Sequence, residues 1–128
     1  MNKMQALHHF WSEFSIPAYE ATSVPDEKDR VAINGQAFPY LTYEASTDDF
    51  GNALAQTASL WYRDTSWAAI TAKEQEISDF ITRGGRMVAY TGGAMWIRKA
   101  SPWAQRLEEP SDDTVRRMVL NVQVEFLD

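Results

Sequence analysis

The apolar positions of this chain follow two periods, one helical at about 3.6 residues and one strand-like at about 2, and these divide it into elements. Met4, Leu7, His8, Trp11 and Phe14 recur at helical spacing, which predicts a first helix over about Asn2 to Phe14, and Pro17 breaks the pattern. Ser23 to Gly35, with the run Pro25-Asp26-Glu27-Lys28-Asp29-Arg30, reads as a charged surface loop. Phe38 to Ala45 is rich in aromatic and β-branched residues and reads as a strand, with Pro39 at its start or on an edge because proline has no N–H for a ladder.

Thr47-Asp48-Asp49-Phe50-Gly51-Asn52 is turn chemistry. Leu54, Gln56, Ala58, Leu60 and Tyr62 then alternate with Ala55, Thr57, Ser59, Trp61 and Arg63, a second strand antiparallel to the first, although its alanines would also suit a helix. A helix capped by Thr65 or Ser66 follows from about Trp67 to Arg83, with Ile70, Lys73, Ile77, Phe80 and Ile81 as its stripe and Gly84-Gly85 as its stop. Arg86 to Thr91 and Ala94 to Ala100 flank Gly92-Gly93 as a hairpin, and Ser101 to Asp113 reads as a loop. Met118, Leu120, Val122, Val124 and Phe126 form the buried face of a last strand. The order α-β-β-α-β-β-β predicts a single α+β domain over residues 1–128, an antiparallel or mixed sheet with two helices packed on one face.

Composition narrows the function. The net charge of −6 is the reverse of what sequence-independent phosphate binding requires, so no specific nucleic-acid binding is expected. The absence of cysteine excludes disulfides, zinc–thiolate sites and thiol nucleophiles, and fits a chain made in a reducing cytoplasm. No window has the roughly 20 apolar residues of a membrane helix, and Met1 to Trp11 lacks the apolar stretch of a signal peptide, so a soluble protein without membrane contact is expected.

Candidate chemistry is sparse. His8 and His9 are adjacent, about 100° apart on a helix, and read as structural or surface residues rather than a metal pair. Asp48-Asp49 and Asp112-Asp113 sit in turn-like stretches where solvated acids are usual, and Glu74 and Glu76 lie on a polar helix face. No phosphate loop, dinucleotide fingerprint or nucleophile elbow occurs, so no enzyme activity and no cofactor are expected.

The stretch from Trp96 to Asp113 stands apart. Arg98, Lys99, Trp103 and Arg106 are followed at once by Glu108, Glu109, Asp112 and Asp113. Two readings are open: a tryptophan pinned to the core with solvated charges around it, or a subunit interface. In the second, basic and aromatic anchors on one copy meet acids on the next, head to tail.

The segments Phe38-Pro39-Tyr40-Leu41-Thr42-Tyr43, Leu60-Trp61-Tyr62-Arg63 with Ser66-Trp67, Trp96-Ile97-Arg98-Lys99, Pro102-Trp103-Ala104-Gln105-Arg106 and Ser111-Asp112-Asp113 resemble, in order and spacing, tail-completion proteins of long-tailed bacteriophages, within the tail terminator and tail-to-head joining family. The resemblance runs from about Val24 to Leu127, leaving residues 1–23 as an N-terminal helix and its connection. It implies one mixed sheet with helices packed against it, and a hexameric ring that ends the tail tube in the virion. The implied partners are further copies of the chain, the major tail tube protein and the head–tail connector, and no catalytic residue is carried over. An acidic lumen would repel the DNA passing through such a ring. A head-closure, connector-adaptor or minor capsid role is the neighbouring alternative. A small-ligand domain using Tyr40, Trp61, Tyr62 and Trp96 is the alternative from another class.

Overall fold

Asn2 begins the first helix by capping it. Its side chain accepts from the Gln5 N–H at 2.8 Å, and the Gln5 side chain accepts from the Asn2 N–H at 2.9 Å. In this computed structural model, which describes all 128 residues, α1 spans Lys3–Trp11 and is followed by one 3₁₀ turn, Ser12–Phe14. The buried stripe is Ala6, Leu7, Phe10, Trp11 and Phe14, so the helix is rotated from the face expected: His8 and Met4 are exposed and Phe10 is inside. Burying phenylalanine instead of imidazole avoids desolvating a polar ring. Phe10, Trp11 and Phe14 meet edge to face or tilted, with Phe10–Trp11 centroids 4.8 Å apart at 86°. Each such ring contributes roughly 2–3 kcal/mol by leaving water.

The remaining elements are β1 (Ala18–Glu20), α2 (Glu27–Asn34), β2 (Tyr40–Tyr43), β3 (Ala53–Arg63), α3 (Ala68–Ile81), β4 (Arg86–Tyr90), β5 (Gly93–Leu107) and β6 (Val115–Leu127). They form one six-stranded mixed sheet in the order β1-β2-β3-β6-β5-β4. The expected order α-β-β-α-β-β-β is corrected at its start, where β1 and α2 stand in place of a loop. There are three helices, not two.

The difference has a physical cause. Charged residues, Glu27, Lys28, Asp29 and Arg30, fill the first half of α2, and its one buried residue is Arg30, so no apolar stripe announces it. Its ends are nevertheless written in the sequence: Asp26 accepts from the Asp29 N–H at 2.9 Å, and Gly35 ends the helix at φ +83°. With α2 as the crossover, β1 and β2 pair in parallel, which a short turn cannot do.

α1 and α3 share one core with the sheet. Ile70, Ile77 and Ile81 of α3 meet Leu7, Phe10 and Phe14 over Leu41, Leu60, Ile97, Leu120, Val122, Val124 and Phe126. Lys73 lays its stem across this face, and its Nζ donates to the Phe14 carbonyl at 2.7 Å. α2 meets the opposite face. Arg30 lies over Tyr40, which strand alternation sets on the other side from Leu41 and Tyr43.

Two expectations about glycine and loops change. α3 ends at Thr82, which has φ +66°, rather than at the glycine pair. Gly85 serves a close approach instead: at φ +90°, a Cβ there would collide with the Trp96 indole and the Ile97 carbonyl oxygen. The segment from Ser101, expected as loop, continues β5. Pairing breaks between Lys99 and Ala104 and resumes as Ala104–Leu107 against Leu120–Arg117, with Pro102 in the irregularity where no ladder N–H is needed. No helix is long and apolar enough to cross a membrane.

Candidate functional site

The continuation of β5 makes a long antiparallel arm with β6, and every expected interface residue lies on it or in the connection 108–114 at its end. β5 has 15 residues and β6 has 13, against 5 in β4 and 4 in β2.

Three of these residues turn toward α3. Lys99 Nζ donates to Ser78 Oγ at 2.8 Å, Trp103 Nε1 to Glu74 Oε1 at 2.7 Å, and an Arg106 guanidinium nitrogen to Thr71 Oγ1 at 3.4 Å. Thr71, Glu74 and Ser78 are spaced three and four apart, one face of a helix, so strand and helix are joined rung by rung. Arg106 also stands 4.9 Å from the centroid of Trp67, whose ring Arg116 approaches at 5.4 Å. Arg98 departs from this group. It stacks 3.9 Å from the Trp96 centroid on the opposite face and lies 3.5 Å from Glu125.

The acidic residues divide too. Asp112 is engaged within the turn: its Oδ1 accepts from the Thr114 hydroxyl at 2.6 Å and the Thr114 N–H at 2.9 Å. Those two hydrogen bonds, with Arg63 at 3.7 Å, hold its carboxyl below the usual carboxylate range. Arg116 ties the turn to the β3–α3 connection by donating to the carbonyls of Asp113 at 2.7 Å and Thr65 at 2.9 Å. Glu108, Glu109 and Asp113 form no ion pair and, with Trp67, Pro110 and Arg116, border a concavity of about 640 Å³. The expected set thus lies along β5 and the turn after it, with Lys99, Trp103 and Arg106 clasped to α3, Arg98 on the other face, and Glu108, Glu109 and Asp113 without an ion pair at the end.

A second constellation is not visible in the sequence pattern. On the sheet face away from α1 and α3, Arg30, Tyr40, Trp61 and Arg117 form a row. Arg30 is 4.1 Å from the Tyr40 centroid, Tyr40 and Trp61 stack at 5.9 Å with planes 7° apart, and Arg117 is 4.6 Å from the Trp61 centroid. Trp61 Nε1 donates to Thr42 Oγ1 at 3.0 Å, fixing the ring. The signal that could have found it is register: Tyr40 faces Trp61, and Trp61 faces Arg117. The row binds α2 to the sheet. It also dissolves the aromatic pocket of Tyr40, Trp61, Tyr62 and Trp96. Tyr62 packs on the helix-side core and Trp96 lies toward the other end of the strands, beside Glu125.

The two histidines serve different partners. His8 Nδ1 is 3.1 Å from Tyr43 Oη and its Nε2 is 3.3 Å from Ser12 Oγ, while His9 Nε2 is 3.2 Å from Glu13. Burial pushes the Tyr43 phenol up to about 12, so it remains neutral. Asp48 caps the Asp49 N–H at 2.8 Å and offers its carbonyl to Lys3. No group of three or more His, Asp or Glu side chains converges to hold a metal ion. Comparison with protein-family models and with curated protein sequences finds no match.

Proposed function

We propose that this protein is a non-catalytic structural subunit, a ring-forming tail terminator or tail-completion protein of a long-tailed bacteriophage, which assembles with copies of itself where tail tube meets head connector. Two things support the reading: the order of motifs from Val24 to Leu127, and the build of the arm. The carrying observation is the arm's end, where Glu108, Glu109 and Asp113 are free of ion pairs beyond a stem riveted to α3. A turn with unpaired charge, at the end of a strand pair fixed to α3, can engage a neighbour at little ordering cost. The overall charge of −6 suits a ring around a DNA conduit, since it disfavours sticking of the phosphate backbone.

The test is the length of tail tubes polymerised from the major tail tube protein with and without this chain. Tubes that stop growing when it is present support the proposal. An unchanged length distribution at saturating protein contradicts it.

A further inference from the structure

We infer that copies of this chain associate head to tail through opposite ends of the sheet, the outer side of α2, which covers the sheet at β2, in one copy receiving the β4 edge of the next. The inference rests on the self-assembly proposed above and assigns surfaces to it.

α2 is built inside out. Its long cation, Arg30, is buried, while Val31 is 46% and Ile33 67% exposed. A helix alone in solvent gains by the reverse arrangement, and Ile33, in one helical row with Asp29 and Asp26, marks a side of α2 built to be covered. Beside it stand Asp26, Glu27 and Asp29 with one lysine, Lys28, all exposed. Glu27 is held by Arg63 at 3.3 Å, whereas Asp26 and Asp29 have no cation within 4.0 Å.

The opposite edge carries the complement. β4 is the terminal strand and pairs only with β5. Met87, 54% exposed, and Ala89 give one face of it an apolar strip, while Arg86, on its α3 side, and Arg83 stand exposed with no carboxylate within 4.0 Å. Arg86 is steadied at this edge by Phe80, 4.1 Å from its guanidinium carbon to the ring centroid.

The two patches therefore match in kind: methionine and alanine against isoleucine, arginines without an ion pair against aspartates without one. Because they lie at opposite ends of the strand order, each contact leaves one patch of each kind unused, and a closed ring satisfies them all where an open filament leaves one of each at its ends. A two-fold dimer through either patch would set like charges face to face.

Charge reversal in the full chain tests this, read by sedimentation velocity over a concentration series with circular dichroism as the folding control. Arg86→Glu alone and Asp29→Arg alone should each weaken self-association by roughly a hundredfold. Mixed one to one, each altered patch meets its complement, and association should return to within about threefold of the unaltered chain. Arg83→Glu, outside every helix and strand, repeats the first arm without touching the Phe80 stack. Undiminished association of either single variant, or no recovery on mixing, overturns this contact and leaves assembly through the β5–β6 arm standing. An unaltered chain that is still monomeric at about 1 mM also overturns it.

Discussion

The indole of Trp103 donates from Nε1 to Oε1 of Glu74 at 2.7 Å, joining the middle of β5 to the middle of α3. As a pure interface anchor, Trp103 could be lost without harm to the monomer. Its half-buried ring instead packs against the core, so Trp103→Ala should lower unfolding free energy by roughly 2–3 kcal/mol. Trp103→Phe, which keeps a ring and loses the donor, should cost about 1 kcal/mol. Urea unfolding measures both, and an unchanged midpoint for Trp103→Ala would place the ring free of the fold.

Arg30 is the pin of α2. It donates to the carbonyls of Pro25 at 2.7 Å and Ala37 at 3.0 Å, and stacks on Tyr40, with no carboxylate as partner. Arg30→Met keeps much of the stem and removes the fork, at an expected cost of roughly 2 kcal/mol. The effect should be local. Amide exchange should accelerate across Glu27–Asn34 while the β3 and β6 amides remain as protected as before.

Phe14 and Phe80 pack edge to face, 5.2 Å apart at 89°, yet they are not equivalent. Phe14 is 1% exposed and Phe80 is only half buried, under Arg86. Phe14→Ala should cost roughly 3–5 kcal/mol, the range the sequence pattern alone suggests for Phe80. Phe80→Ala should cost about 2 kcal/mol. Equal losses in chemical denaturation would contradict this ordering.

Tyr43 and Tyr62 should titrate late. Burial pushes both phenols up to about 12, with Glu20 adding to the effect at Tyr43 and Glu76 at Tyr62. A phenol kept neutral by the fold ionises more readily once the chain unfolds. The stabilisation is therefore complete below the ordinary value of 10 and disappears as pH rises through about 12. Ultraviolet titration should show a late phenolate rise that Tyr43→Phe with Tyr62→Phe reduces and does not abolish, since burial also raises Tyr40 and Tyr90.

What the sequence discloses is what periodicity encodes. The inward alternation of β3 and β6 appears in the structure as expected, with Gln56, Ala58 and Leu60 buried against Val122, Leu120 and Met118. The Ile70, Ile77 and Ile81 stripe of α3 is legible for the same reason. α2 is not, because a helix held by one arginine on a tyrosine has no apolar period to read. The outer half of β5 is hidden by Pro102, which punctuates a loop as readily as a strand irregularity. For the candidate site, spacing puts Lys99, Trp103 and Arg106 together but cannot say that α3 claims their side chains. That depends on a pairing shift between Lys99 and Ala104, which no local pattern specifies.

The proposed function requires copies of this chain to fit together onto a tube end. Electron microscopy of tail tubes incubated with the purified chain tests it most directly. The expected image is a six-fold disc capping one end of each tube, with a matching oligomer mass by native mass spectrometry. Bare tube ends, with only single-chain mass in solution, would contradict it.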